Sequence, residues 1–278
     1  MSASLARLAH KGPRGVQRVF WGAADLRPVA GTLRAGENIC AGLGRIFAEA
    51  GCRGGVTSFD GVRCDPLIYV GPAESRDPAY AAYYSDQFRA DSHQPIRGSS
   101  VTVGLRDGAP FFHCHGQWLV GGQPVMGHLL PHDTVVAADC PITGLGAPDN
   151  AFVTRFDPET NFPLFHPEHE GGQGNGVLIR LAPEEDVVSA IEAVAAAAGI
   201  GSGRIHGVGS ICEPHFQGQG RIPTPITEVR IDAGHLREGR AEIDVSHVDT
   251  GWITHRGRLV RGLNPVGVTF ELLLEGTP

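Results

Sequence analysis

Apolar and polar positions follow two different periods along this chain, and the two periods mark out its elements. In Leu33–Gly51, "LRAGENICAGLGRIFAEAG", the apolar positions Ile39, Leu43, Ile46, Phe47 and Ala50 keep to one face of a 3.6-residue helix. Leu181–Gly199, "LAPEEDVVSAIEAVAAAAG", repeats that stripe without a gap at Val187, Ile191, Val194, Ala195 and Ala198. Both copies open on carboxylates, which suit the positive end of a helix dipole. Pro183 suits an N-terminal turn, and Gly51 and Gly199 suit C-terminal caps. Glycine-rich, strand-like runs follow, "RGGVTSFDGV" and "GSGRIHGVGSI". Their glycines come after the helices and no G-x-G-x-x-G opens one, so they predict turns and strands, not a dinucleotide loop.

The second period is two. Phe111–His128, "FFHCHGQWLVGGQPVMGH", reads as a hairpin about Gly121-Gly122. A two-residue turn there pairs Val120 with Gln123 and sets His115 across from His128, with His113 two residues along on the same face. Opposed Cβ atoms lie roughly 4.5–5.5 Å apart, so three imidazoles converge on a spot where each can reach one metal at about 2.0–2.1 Å. A lone strand histidine is ordinarily satisfied by local hydrogen bonds; three on one face, from both arms, predict a metal site at His113, His115 and His128. Imidazole suits zinc first, with nickel, copper, iron or cobalt as other occupants. Three protein ligands leave a fourth position open, the catalytic pattern. His132 and Asp133, just past the second arm, are the candidate catalytic acid/base pair. Cys114 points to the opposite face and reads as core.

The hairpin also has a second copy. "HCHGQWLVGGQPVMGHLLPHDTV" aligns gaplessly with "HVDTGWITHRGRLVRGLNPVGVT", matching Trp118 with Trp252 and Pro131 with Pro265. In that register His247 and Asp249 stand where the first copy has His113 and His115, and Gly262 stands for His128, which predicts a degenerate second site. A repeated helix and hairpin in the same order predict duplication of one α/β unit, of the α+β type. The expected organisation is a first domain over 1–150, a Pro/Gly-rich linker loop over 151–175 and a second domain over 176–278. Phe162, Phe165, His166 and His169 in the linker predict that it packs over something.

Composition narrows the function classes. The 278 residues are 41% hydrophobic with a net charge of −7, and the excess acid falls in residues 151–278. An acidic chain is a poor partner for phosphate backbones or anionic lipid. Arg256-Gly257-Arg258 has no proline or basic flank and falls at a predicted turn. The six cysteines are scattered without a C-x-x-C pair, which predicts free thiols of a reducing compartment. With no apolar signal region and no apolar run near the roughly 20 residues of a membrane span, the expected location is cytoplasmic. No G-x-S-x-G, P-loop or H-E-x-x-H occurs.

The H-x-H…G-H-L pattern (His113, His115, Gly127, His128, Leu129), with a helix beginning near "AGENI" and glycine-rich strands upstream, resembles the PPC domain, the plant and prokaryote conserved domain, a family of unknown function. The resemblance covers about residues 30–140 and, more weakly, 176–276. It implies a mostly antiparallel sheet around one main helix, assembly as a homotrimer, and zinc on the residues matching His113, His115 and His128. Two units in one chain depart from most prokaryotic members, and His247 with Asp249 leaves a second metal site in doubt. Three functions follow. The first is a metal-dependent hydrolase, hydratase or lyase, or a binder, acting on a small oxygen-rich metabolite. The second is a trimeric scaffold with structural zinc. The third is a DNA-associated regulator, which rests on the family name alone.

Overall fold

The computed structural model describes residues 7–277. Two largely antiparallel sheets and two helices make up the bulk of the chain. The seven-stranded sheet runs, in spatial order, Val19–Ala24, Gly176–Leu181, Val266–Gly276, Gly203–Ile211, Thr227–Arg237, Arg240–Asp249 and Thr254–Arg258. The larger, ten-stranded sheet runs Arg27–Leu33, Cys140–Ala147, Gly54–Thr57, Arg97–Arg106, Ala109–Val120, Gln123–Leu129, Ile68–Val70 and Phe88–Arg89, with two further strands off this path. Six strands, from Arg27–Leu33 to Gln123–Leu129, follow the same spatial order as the six from Gly176–Leu181 to Thr254–Arg258.

The helices span Ile39–Glu49 and Val187–Ala197, shorter than the stripes alone suggest. Their carboxylates lie ahead of the first turn. Asp186 is itself the N-cap, accepting from Ser189 N at 2.8 Å, and Asn38 caps the first helix through Cys40 N and Ala41 N. Gly51 and Gly199 both take positive φ just past the last turn, the left-handed conformation that releases the chain from a helix. The first stripe packs with Val101, Val103, Phe112, Cys114 and Trp118 of the larger sheet; the second packs with Val229, Ile243, Val245 and Leu272 of the smaller. Each helix thus covers one sheet face.

The opposite sheet faces meet each other. Ala24, Leu26, Val56, Ala147, Phe152, Phe165, Leu178 and Leu273, drawn from both sheets and the hairpin beside them, form a third core at this seam. Both faces of Gly176–Leu181 are therefore buried, which explains its apolar run, interrupted only by Arg180.

Two segments differ from the sequence reading. Val19–Ala24, early in the chain, pairs antiparallel with Gly176–Leu181 at the edge of the smaller sheet. Residues 151–175 are not a plain loop. Phe152–Phe156 and Pro163–Pro167 pair as a hairpin, and Phe152–Phe156 joins Arg97–Arg106 in a parallel contact. Arg180 of the smaller sheet, 1% exposed, pairs with Asp157 at the hairpin's tip and pins it down. All six cysteines are free, and five are buried. Among the described residues no helix is long and apolar enough to cross a membrane.

Candidate metal centre

Gly121 and Gly122 both adopt positive φ, the mirror-image turn that matches strand twist. The pairing that results sets Val120 against Gln123 and His128 directly opposite His115. Alternation along Ala109–Val120 sends Phe112, Cys114 and Trp118 into the helix-side core and Phe111, His113 and His115 to the seam. The seam face of the hairpin thus carries all three histidines, and His115 is fully buried.

The smaller sheet supplies what the hairpin lacks. Glu228 sits with its Oε2 2.6 Å from His115 Nε2, and the carbonyl of the next residue, Val229, lies 2.7 Å from His115 Nδ1. Glu271 places Oε2 2.5 Å from His113 Nδ1, and its Oε1 accepts from Thr269 Oγ1 at 3.1 Å. One donor atom from each of His113, His115, His128 and Glu228 falls within 4.8 Å of all the others.

These contacts fix the tautomers by inference. His115 donates through Nδ1 to the Val229 carbonyl, which has no proton of its own to give, and His113 donates through Nδ1 to the Glu271 carboxylate. In the neutral form of each ring the Nε2 atom then carries the lone pair, and the two Nε2 atoms lie 3.0 Å apart. His128 Nδ1 lies 3.2 Å from the same His115 nitrogen. Lone pairs and a carboxylate oxygen converging in a buried pocket repel one another unless a shared proton or a cation sits among them. The donor set therefore fits a transition-metal ion. It also differs from the three-ligand set read from the hairpin, because Glu228 adds a fourth donor from across the seam.

The electrostatics follow burial and charge. Burial depresses the His113 imidazole, but the Glu271 carboxylate outweighs it and the balance is upward. His128 is held well below its usual range by burial and by its two histidine neighbours. The Tyr84 phenol, whose ring centre is 4.9 Å from that of His128, is pushed up by burial and then by Glu228 and Glu271, so it keeps its proton.

A cavity of about 360 Å³ opens beside this cluster, a size that suits small molecules. His113, His128, Glu228 and Glu271 form its polar wall; Phe111, Phe162, Phe165 and Tyr83 form its apolar wall. His132 and Asp133 lie exposed on the same cavity, His132 tilted against Phe111 at 5.6 Å. Phe162 and Phe165 are the linker residues that cover something. His166 turns away to meet Phe20 edge-on, and burial lowers its imidazole to about 3; His169 stays at the surface.

His247 and Asp249 do not stand where the gapless alignment puts them. The tips Asp107-Gly108 and Glu238-Gly239 adopt the same positive-φ pair, which makes Ala109 equivalent to Arg240. Counted from there, Asp244 and Ser246 occupy the places of His113 and His115, three residues off the alignment. An odd shift reverses the sheet face. His247 accordingly sits on the helix side, stacked on His255 at 5.0 Å and near Phe216, while His255 Nε2 lies 3.2 Å from Asp249 Oδ2. Asp244 is paired with Arg258 at 2.8 Å.

No protein-family profile matches the chain, and no curated protein matches it. Solved structures do. A metal-containing protein from Archaeoglobus fulgidus aligns at 19% identity and a TM-score of 0.42, over 54% of this chain and 99% of its own. A hypothetical protein from Salmonella enterica aligns at 14% identity and 0.39, over 53% and 96%. A plant- and prokaryote-conserved (PPC) protein from Pyrococcus horikoshii aligns at 15% identity and 0.37, over 52% and 95%. The neighbours thus include a protein of the family that the H-x-H…G-H-L pattern resembles, and each covers about half of this chain.

Proposed function

We propose that this chain is a PPC-type protein with two units, and that His113, His115, His128 and Glu228 hold one divalent transition metal, zinc first, for work on a small oxygen-rich molecule. The observation that carries this reading is the convergence of one donor atom from each of His113, His115, His128 and Glu228, with the Nε2 atoms of His113 and His115 3.0 Å apart and the Glu228 carboxylate beside them. An ion held there supplies Lewis acidity toward an oxygen donor in the cavity, the chemistry of hydrolases, hydratases and lyases. The chain's own groups do the rest. Glu271 and the Val229 carbonyl hold two imidazoles in the metal-binding tautomer. Tyr84 would offer a protonated hydroxyl, and His132 with Asp133, which line the same cavity, would serve to move a proton. Phe111, Phe162 and Phe165 exclude water.

A second reading has its own support. Four protein donors close a tetrahedral zinc site, which is the structural pattern, whereas an ion of higher coordination number keeps positions free. Metal analysis of the purified chain beside a His113→Ala, His115→Ala, His128→Ala variant tests both. About one metal per chain, lost in the variant while fold and oligomeric state persist, supports the small-molecule reading. Metal lost together with the homotrimer that the resemblance implies supports the scaffold. No uptake of zinc, cobalt, nickel, copper or iron by the natural chain overturns both.

A further inference from the structure

The cavity beside the histidines holds one cation that metal binding does not use. Arg106 ends the strand Arg97–Arg106 and lines the cavity together with His113, His128 and Tyr84. Its guanidinium carbon lies 5.3 Å from the centre of the Phe111 ring, within cation–π reach, which holds the group against the cavity wall. Among the described residues it has no carboxylate partner, although Glu228, Glu271 and Asp133 line the same cavity. Phe111 and His113 are alternate residues on one strand face, so the Phe111 shelf and the metal donors stand roughly 7 Å apart along the strand.

We infer that Arg106 grips the carboxylate of a small ligand whose second oxygen donor reaches the three histidines, so that the cavity takes a short hydroxy acid or dicarboxylate. The inference rests on the metal reading for the second donor and on the cavity alone for the first. A guanidinium presents two parallel N–H groups to a carboxylate, the geometry in which such pairs are strongest. A free phosphate fits less well, because all its oxygens sit on one centre and none reaches from Arg106 to the histidines roughly 7 Å along the strand. The spacing matches a chain of a few carbons, and a volume of about 360 Å³ suits a small molecule.

Isothermal titration of the metal-loaded full chain with oxalate, malonate, malate and citrate, beside dimethyl malate and inorganic phosphate, tests the assignment. At least one free acid binds, the ester does not, and Arg106→Gln weakens the acid about tenfold to a hundredfold with metal content and Tm unchanged. Arg106→Lys, which keeps the charge and loses the fork, recovers part of the affinity. The inference is overturned if no acid binds, if the ester or phosphate binds as tightly as the best acid, or if Arg106→Gln leaves the Kd where it was. Should the chain take up no metal, the same titration on metal-free protein separates the two ideas. Arg106-dependent binding would then uphold the carboxylate grip and sink the metal reading; its absence would sink both.

Discussion

Glu271 is the sharpest place to perturb the centre. Its side chain is buried, with Oε2 2.5 Å from His113 Nδ1 and Oε1 accepting from Thr269 Oγ1. Glu271→Gln keeps the volume, and the amide oxygen still accepts from Nδ1–H, so the ring's orientation survives. What is lost is the negative charge that makes His113 a better donor and that helps balance a divalent ion. Outer carboxylates of this kind are worth about tenfold to a hundredfold in metal affinity, or about 1.4–2.7 kcal/mol. A competition titration of metal-free chain against a chromophoric chelator reads that difference directly. His113→Ala should lose much more, and Thr269→Val, which frees one carboxylate oxygen, should lose less. An affinity for Glu271→Gln equal to that of the natural chain, with an unchanged Tm, would refute the assignment of Glu271 as the group that tunes His113.

Three further outcomes are expected. Because the donors come from both sheets, metal at a hundred times its Kd should stabilise the fold by about 2.7 kcal/mol and raise Tm by about 5–10 °C in scanning calorimetry; Glu228→Gln should shrink the rise, and an equal rise would remove Glu228 from the donor set. Arg180→Met should cost about 3–5 kcal/mol, since it strands a buried carboxylate. Burial raises the Asp157 carboxyl, but Arg180 and two backbone N–H groups outweigh it and hold it below the usual range. A depressed carboxyl stabilises above its unfolded pKa of about 3.9 and loses that contribution as pH falls through the folded value, so the deficit of Asp157→Asn should narrow in acid; a deficit constant with pH would contradict this. Trp118, 1% exposed in the core, should cost about 3–5 kcal/mol as Ala. Trp252, at a turn and 37% exposed, should cost less than half as much by urea denaturation; equal losses would favour the gapless repeat alignment over the turn-based one.

The features legible in the sequence are those that one element decides alone. Helix stripes, the Gly121-Gly122 turn and the face shared by His113, His115 and His128 depend on local period and on a two-residue loop, and the pairing of His115 with His128 follows from them. Glu228 and Glu271 were not legible in the same way. Each is an acid set between apolar neighbours in a strand, "TEVRI" and "TFELLL", and its partner comes from another sheet. The available signal was the acid itself, since a carboxylate in a buried strand needs a partner to be tolerated. The second hairpin misled for a definite reason. Trp252 lies inside the connection Thr250–Ile253, whereas Trp118 lies within its strand and is equivalent to Asp249, so anchoring on tryptophan slides the register by three. Nothing in Val19–Ala24 marked it for the smaller sheet, because edge pairing depends on which strand is left uncovered.

The division of donors between the sheets makes the centre a property of their stacking. Glu228 and Val229 are consecutive on one strand, yet both serve His115, the first through a side chain beside Nε2 and the second through a backbone carbonyl at Nδ1. A backbone carbonyl can meet the ring only if the two sheets approach closely, and sliding the strand by one residue would turn the Glu228 side chain to the opposite face. The smaller sheet has no equivalent histidines to offer in return: Asp244 and Ser246 stand at those places, and Asp244 is tied up by Arg258. One sheet therefore supplies imidazoles and the other supplies charge, and the hairpin alone would bring three rings together with no carboxylate to balance an ion. Substitutions that loosen the seam, far from any ligand, should weaken metal binding in proportion to how much they shift the strand Thr227–Arg237. Leu178 and Leu273, in the core at the seam, are the positions at which that coupling can be measured. Leu273→Ala should lose about 2–5 kcal/mol of stability and metal affinity together. A loss of stability with metal affinity untouched would mean that the hairpin holds the ion without help from the second sheet.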